Sequence, residues 1–187
     1  MGRFIFRYLA WFFDFLSFLL RILPLSVRTT FYVFFSNFPT RFGVLIRYVL
    51  LKSICKKMGV NVYISRFVIL KNIEKISFGD NVSIHEFSYL DGLGGIFIGD
   101  NVSIAHNASI ISFEHTYDLL EFPIKYNPLI TKSIEIADDV WIGCGVRILG
   151  GTLIGSRTIV AAGSVVKGQL TNNSIYAGVP AKLKKSI

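Results

Sequence analysis

From Ile136 the chain keeps a six-residue beat. Ile136, Ile142, Ile148, Ile154, Val160 and Val166 are aliphatic, and Val140, Val146, Thr152, Thr158 and Ser164 follow at the fourth position after. A helix repeats every 3.6 residues and a strand every two, so neither accounts for this spacing. Six-residue periodicity is the mark of a parallel β-helix, whose short strands alternate with tight bends. The beat recurs upstream in Phe78-Gly-Asp-Asn-Val-Ser-Ile84 and Ile98-Gly-Asp-Asn-Val-Ser-Ile104. The coils are expected to begin near Val60. Ile64 and Leu70 mark an irregular first coil, and Asn172 begins the exit. The aliphatic residue and its small partner should both point inward, and Gly-Asp pairs should supply the permissive backbone of the corners.

The repeat breaks once, between Glu114 and Ser133, in a stretch containing Leu119, Leu120, Phe122, Pro123, Tyr126 and Pro128. A long excursion from a strict repeat points to a functional loop, here 115–133.

Residues 1–57 are a different kind of sequence. They hold nine Lys/Arg against one acid, Asp14, and fifteen of the 27 aromatics, whereas residues 58–187 balance eleven basic against eleven acidic residues. The chain therefore divides into a helical, basic and aromatic region (1–57) and a β-helix domain (58–187). On a helical wheel of residues 3–21, Arg3, Arg7, Asp14, Ser17 and Arg21 fall within an arc of about 80°. That pattern suits a helix lying in an anionic membrane interface; Asp14 at mid-membrane would cost about 2.5–3.5 kcal/mol. Packing against other subunits is the alternative. Two more helices are expected over 26–38 and 41–57, divided at Pro39, with Thr40 as a cap. No nucleic-acid-binding motif is present, and Phe/Leu runs suit bases poorly, so nucleic acid is not an expected partner.

Phe6 stands where N-myristoylation needs Ser or Thr, and no small-x-small cleavage site follows the apolar stretch. Cys55 and Cys144 form neither a CxxC pair nor a disulfide framework. The expected location is the cytoplasmic face of the cell membrane, peripherally bound.

Three segments carry a family resemblance: Asp138-Asp-Val-Trp-Ile-Gly-Cys-Gly-Val-Arg-Ile-Leu-Gly-Gly, Ile159-Val-Ala-Ala-Gly-Ser-Val-Val-Lys167 and Tyr176-Ala-Gly-Val-Pro-Ala-Lys182. They resemble the hexapeptide-repeat acyltransferases, especially the galactoside, maltose and polysaccharide O-acetyltransferases. The resemblance covers roughly residues 76–185. It implies a left-handed β-helix, a departure from the usual right-handed crossover. It also implies a homotrimer with active sites between neighbouring prisms, and acetyl-CoA as donor.

Acetyl transfer to a hydroxyl needs a general base and donors for the developing oxyanion. By the resemblance, His115 in Ser-Phe-Glu-His-Thr is the base, and the Cys144 backbone N–H holds the thioester oxygen. A Cys144 thiol nucleophile is the alternative. For the cofactor, Trp141 matches a cleft residue, Ala162 and Gly163 match small residues beside the pantetheine, and Lys167 matches a lysine near the CoA phosphates. Lys182 and Lys185 stand where relatives carry arginines, a point charge in place of a fork. On the acceptor side, Asp91 is either a sugar ligand, a histidine partner or a turn residue, and Glu114 and Asp118 both stand close enough in sequence to orient His115. His85 and His106 follow corners and read as solvated. Histidine spacings of 21 and 9 lack the H-x4-H pair of the similar γ-type carbonic anhydrases, so no metal is expected.

The expected function is acetyl-CoA-dependent O-acetylation of a sugar hydroxyl on a surface polysaccharide or its lipid-linked precursor. N-acetylation of an amino-sugar nucleotide and a non-catalytic membrane-bound β-helix module are the alternatives.

Overall fold

A computed structural model describes residues 8–187. From Lys57 the chain winds as a three-faced parallel β-helix. The first face stacks Lys57–Met58, Ile76–Phe78, Ile96–Ile98, Ile134–Ile136, Leu153–Ile154 and Gln169–Leu170. The second stacks Tyr63–Ile64, Ser83–Ile84, Ser103–Ile104, Trp141–Ile142, Thr158–Val160 and Ser174–Ala177. The third stacks Ile69–Lys71, Tyr89–Asp91, Ser109–Ile111, Arg147–Ile148 and Val165–Val166. Register is one to one, with Ile64 over Ile84 over Ile104 over Ile142 over Val160 over Tyr176. Each of these points to the axis and is buried, as are Val140, Val146, Thr152, Thr158 and Ser164. The beat is thus the volume rule of the axis: one branched residue per face, and beside it one residue small enough to leave room.

The corners between the first and second faces work differently from the expectation. The left-handed residues there are Asn61, Asn81, Asn101, Asp139, Arg157 and Asn173, not the glycines that precede them. Glycine is needed for space. A Cβ on Gly79 would stand 2.2 Å from Asp100 Oδ1, and one on Gly99 2.3 Å from Asp138 Oδ1. Those carboxylates accept the N–H of Asp80 and of Asp100, each at 2.7 Å, while Asn61 and Asn81 donate side-chain bonds to the next asparagine. Each corner is therefore hydrogen-bonded to the coil above it.

Three helices precede the coils: α1 (Ala10–Leu20), α2 (Leu25–Phe35) and α3 (Thr40–Ile54). Pro39, not Thr40, is the N-cap of α3 and makes no side-chain cap bond; Thr40 is already inside the helix, at φ +74°. Arg3 and Arg7 of the expected polar stripe lie outside the described residues. The rest of that stripe lies along α3, with Ser17 buried and Asp14 and Arg21 exposed at the edge of the contact. Asp14 pairs with Lys52, Ser17 donates to Val49 O, and Arg21 donates to Lys52 O. With Arg28 on Ser53 O, the arginines satisfy carbonyls that the end of α3 leaves without helical partners. Phe13 is buried beside Ser17, and Trp11, Phe12, Phe15, Phe18 and Ile22 face outward.

The layer is fixed to the first coil by a buried cation. Arg47, 1% exposed, donates from Nε to Ile64 O (2.9 Å) and from its terminal nitrogen to Ser36 O (3.2 Å) and Phe38 O (2.9 Å). Tyr48 OH donates to Gly59 O, and Tyr32 OH reaches Val68 O. Burial pushes the Tyr32 phenol and the Cys55 thiol well above their ordinary values. No helix among the described residues is long and apolar enough to cross a membrane.

Candidate active site

The excursion is not shapeless. Phe113–His115 pairs antiparallel with Leu129–Thr131, so His115 sits opposite Leu129 at the end of a short hairpin. Ser112 anchors its root: buried, its hydroxyl donates to Asp91 O (2.7 Å) and accepts the Gly94 N–H (2.8 Å). Beyond His115, Thr116 N–H donates to Pro128 O. The tip is folded around Asn127, which is buried; its Oδ1 accepts Leu119 N–H, and its Nδ2 lies 3.2–3.3 Å from the carbonyls of Leu119, Phe122 and Pro123. Around this polar hub Tyr117, Leu120, Phe122, Ile124 and Tyr126 are exposed, Leu120 to 94%.

His115 itself is exposed, and Asp118 is exposed in the tip. Glu114 turns to two lysines rather than to the histidine. Its Oε1 accepts from Lys167 Nζ at 2.9 Å, and its Oε2 is 3.7 Å from Lys132. The Lys167 bond holds the Glu114 carboxyl below its ordinary value against the opposing effect of burial. Lys132, absent from the sequence-based set, was detectable only as a basic residue ending the excursion. Asp91 is buried, and its oxygens accept from Leu93 N–H (3.2 Å) and Tyr89 OH (3.2 Å) of its own coil and from Asn72 Nδ2 (2.6 Å) of the coil below.

A second group gathers on the corner between the second and third faces. His106, Cys144 and Ala162 stack there, with Gly145 N–H donating to His106 O and Gly163 N–H to Cys144 O. The N–H groups on either side of Cys144 are engaged with Val160 O and His106 O; no hydrogen bond from the Cys144 N–H is found among the described residues. Gly145 and Gly163 hold φ near +70°, and Ala162 N would be 2.6 Å from a Cβ on Gly143, so this edge is bare backbone. Trp141, half exposed, lies beside it in a groove of about 540 Å³ with His85, Glu86, Phe87, Ser103, Ala105 and His106. Lys182 and Lys185 are exposed on the last strand, Lys182–Ser186, which reverses along Ser174–Ala177.

Within the chain the two groups stay apart. The third-face strand Ser109–Ile111 runs between the corner at Asn107 and the root at Ser112, a separation of up to about 16 Å at roughly 3.3 Å per residue. Among the described residues no three His, Cys, Asp or Glu side chains are placed to hold a metal ion.

Residues 133–168 match the model for the bacterial transferase hexapeptide (six repeats). The chain is 38% identical over 76 residues to the putative lipopolysaccharide biosynthesis O-acetyl transferase WbbJ of Escherichia coli K12, covering 40% of this chain and 39% of that protein. Among solved structures it is similar to galactoside acetyltransferase in complex with coenzyme A (TM-score 0.78, 27% identity, 86% of this chain and 79% of that one). It is equally similar to the hexapeptide-repeat acetyltransferase VCA0836 of Vibrio cholerae complexed with acetyl-coenzyme A (TM-score 0.78, 27% identity, 87% and 86%). In sequence over residues 133–168 and in fold over most of its length, the chain resembles the hexapeptide-repeat acyltransferases. Its fold is the one the repeat predicts, a parallel β-helix preceded by helices. The alignment nevertheless spans less than half the length of the curated relatives it matches.

Proposed function

We propose that this hexapeptide-repeat protein is an acetyl-CoA-dependent O-acetyltransferase acting on a sugar hydroxyl of a surface polysaccharide or its lipid-linked precursor. The observation that carries the reading is the bare corner edge at Cys144 and Gly163. An N–H there has space for a thioester oxygen, and structural neighbours carrying acetyl-CoA or CoA share the fold over most of the chain.

In the reaction, His115 accepts the hydroxyl proton as the sugar oxygen attacks the thioester carbonyl carbon. The Cys144 N–H donates to the oxyanion that forms. The C–S bond then breaks, the ester remains on the sugar, and the departing CoA thiolate takes the proton from the imidazolium. Ala162 and Gly163 leave room for the pantetheine beside Trp141. Lys167, Lys182 and Lys185 attract the CoA phosphates, which at Lys167 compete with Glu114.

A homotrimer fits this chemistry. One protomer keeps base and oxyanion donor apart, whereas an apolar arm reaching to a neighbour's corner both covers Leu120 and delivers His115. The outward apolar arc of α1 and the positive excess of residues 1–57 support peripheral binding to an anionic membrane on the cytoplasmic side.

The test is thiol release from acetyl-CoA with lipid-linked oligosaccharide extract as acceptor. His115→Ala should reduce acceptor-dependent release by about 10²–10⁴-fold, the usual range for a general base. Equal release from variant and wild type removes His115 from catalysis. Loss of the product acetyl group in mild base distinguishes an ester from an amide, and sedimentation with anionic vesicles tests the membrane assignment.

A further inference from the structure

The corner that carries Cys144 contains an anomaly two coils below it. Its left-handed position is filled by Gly163, Gly145 and Asn107 in the upper coils, residues that adopt this conformation at little cost. In the two lower coils it is filled by Phe87 and Phe67, each at φ +61°. A bulky side chain at positive φ is a true outlier, and such strain persists where the surroundings demand it and clusters at ligand sites. Burial is not the demand here. Phe87 is 60% exposed and Phe67 41%.

The two rings stack instead, centroids 5.3 Å apart and 6° from parallel. Phe67 is held from behind. Its N–H donates to Asn37 Oδ1 at the end of the helical layer, and the Arg66 guanidinium lies 5.6 Å from its ring. One face of Phe87 is therefore covered by Phe67, and the ring lines the groove that holds His85, Glu86, Ser103, His106 and Trp141. Glu86 is fixed in turn by Ser65 of the coil below. A rigid aromatic plane beside imidazoles, a carboxylate and a hydroxyl is the chemistry that recognises a sugar. The C–H face of a pyranose packs on the ring, and its hydroxyls bond around the edge. The groove, about 540 Å³, is the size of a small-ligand site.

We infer that Phe87, backed by Phe67, is the stacking platform on which the acceptor saccharide is positioned in the groove beside Trp141. This deepens the transferase reading and rests on it for the identity of the saccharide as acceptor. Phe87 binds; Phe67 is a positioning residue that keeps the plane rigid.

The experiment uses the full chain on an array of mono- to hexasaccharides, with acetyl-CoA affinity, melting temperature and oligomeric mass measured in parallel. Asparagine tolerates the left-handed backbone, so Phe87→Asn should melt no lower than wild type. It should bind the saccharide that wild type retains at least tenfold more weakly, with acetyl-CoA affinity within twofold. Phe67→Asn should show a smaller loss. Undiminished saccharide binding by Phe87→Asn overturns the assignment, as does a wild type that binds acetyl-CoA and no saccharide. A changed oligomeric mass would make Phe87 a subunit contact and overturn it equally. Absence of acetyl-CoA binding with Phe87-dependent saccharide binding would instead sink the transferase reading and leave the platform standing.

Discussion

Arg47 offers the sharpest test of how the helical layer is held. Its guanidinium is buried without a carboxylate and donates to three carbonyls. Desolvation pulls its pKa below the ordinary arginine value, so the charge is held at a cost. In Arg47→Ala, the Ser36 and Phe38 carbonyls near the surface can bond to water, but Ile64 O is left over the first coil. An unsatisfied buried acceptor costs about 1–3 kcal/mol, and the vacated side-chain volume adds about 1 kcal/mol or more. Relief of the buried charge offsets part of this, so a net loss of about 1–3 kcal/mol is expected, a large share of a stability of about 5–15 kcal/mol. Arg47→Met keeps the stem and should lose about 1–2 kcal/mol. Trp11 lies in the helical layer and Trp141 on the coils, so urea unfolding followed by fluorescence in Trp141→Phe and Trp11→Phe backgrounds reads the two parts separately. The Trp11 transition should move further than the Trp141 transition. If Arg47→Met is more stable than wild type, the buried cation is a liability rather than a clamp and the reasoning fails.

Two further outcomes follow from polar contacts on the coils. Glu114 has a folded-state pKa below its unfolded value, so the stability its lysine bond contributes is fully present above about pH 4.5 and is lost as pH falls through the folded value. A carbon-13 titration should place its midpoint below 4.5 and move it upward in Lys167→Met; a midpoint indifferent to that substitution contradicts the ion pair. At the corners, Asp100→Ala should cost about 1.5–3 kcal/mol by removing the charge-assisted bond from the Asp80 N–H. Gly79→Ala should cost about 3 kcal/mol, because its Cβ would also stand 2.7 Å from the Gly99 backbone. The double variant should lose about 1 kcal/mol less than the sum, as read from thermal melts, since the side-chain part of the clash is shared. Strict additivity would show that glycine is there for another reason.

The axis of the β-helix was legible because every rung meets the same constraint. Ile142, Val160 and their neighbours are selected by one narrow interior, so the period survives changes in individual residues. The hairpin within the excursion was not legible, because three paired residues a side leave too short a pattern to read. Nor were Asn127 and Lys132, since a hub amide and an ion-pair partner have no periodicity at all. Phe67 and Phe87 did leave a trace. Asn61-Val-Tyr-Ile-Ser-Arg-Phe67 and Asn81-Val-Ser-Ile-His-Glu-Phe87 repeat one coil apart, with an aromatic where Ala105-His-Asn107 has asparagine.

The helix α1 shows why amphipathicity is only half of an assignment. The wheel separates Asp14, Ser17 and Arg21 from a broad aromatic arc, but it does not say which side meets the protein. Here α3 takes the narrow polar stripe: Ser17 is buried on Val49 O, and at the exposed edge Asp14 pairs with the Lys52 ammonium while Arg21 donates to the Lys52 carbonyl. One edge of the wide arc, Phe13 with Leu16 and Leu20, packs inward beside the stripe, and the remainder, with Trp11, Phe15 and Phe18, stands exposed. A basic interfacial helix presenting charge to lipid headgroups and a helix that pairs its charge within its own fold make opposite demands on the same sequence. With its stripe engaged, α1 would meet a bilayer through aromatic area. Its binding to vesicles should therefore depend less on salt than the net charge of residues 1–57 suggests.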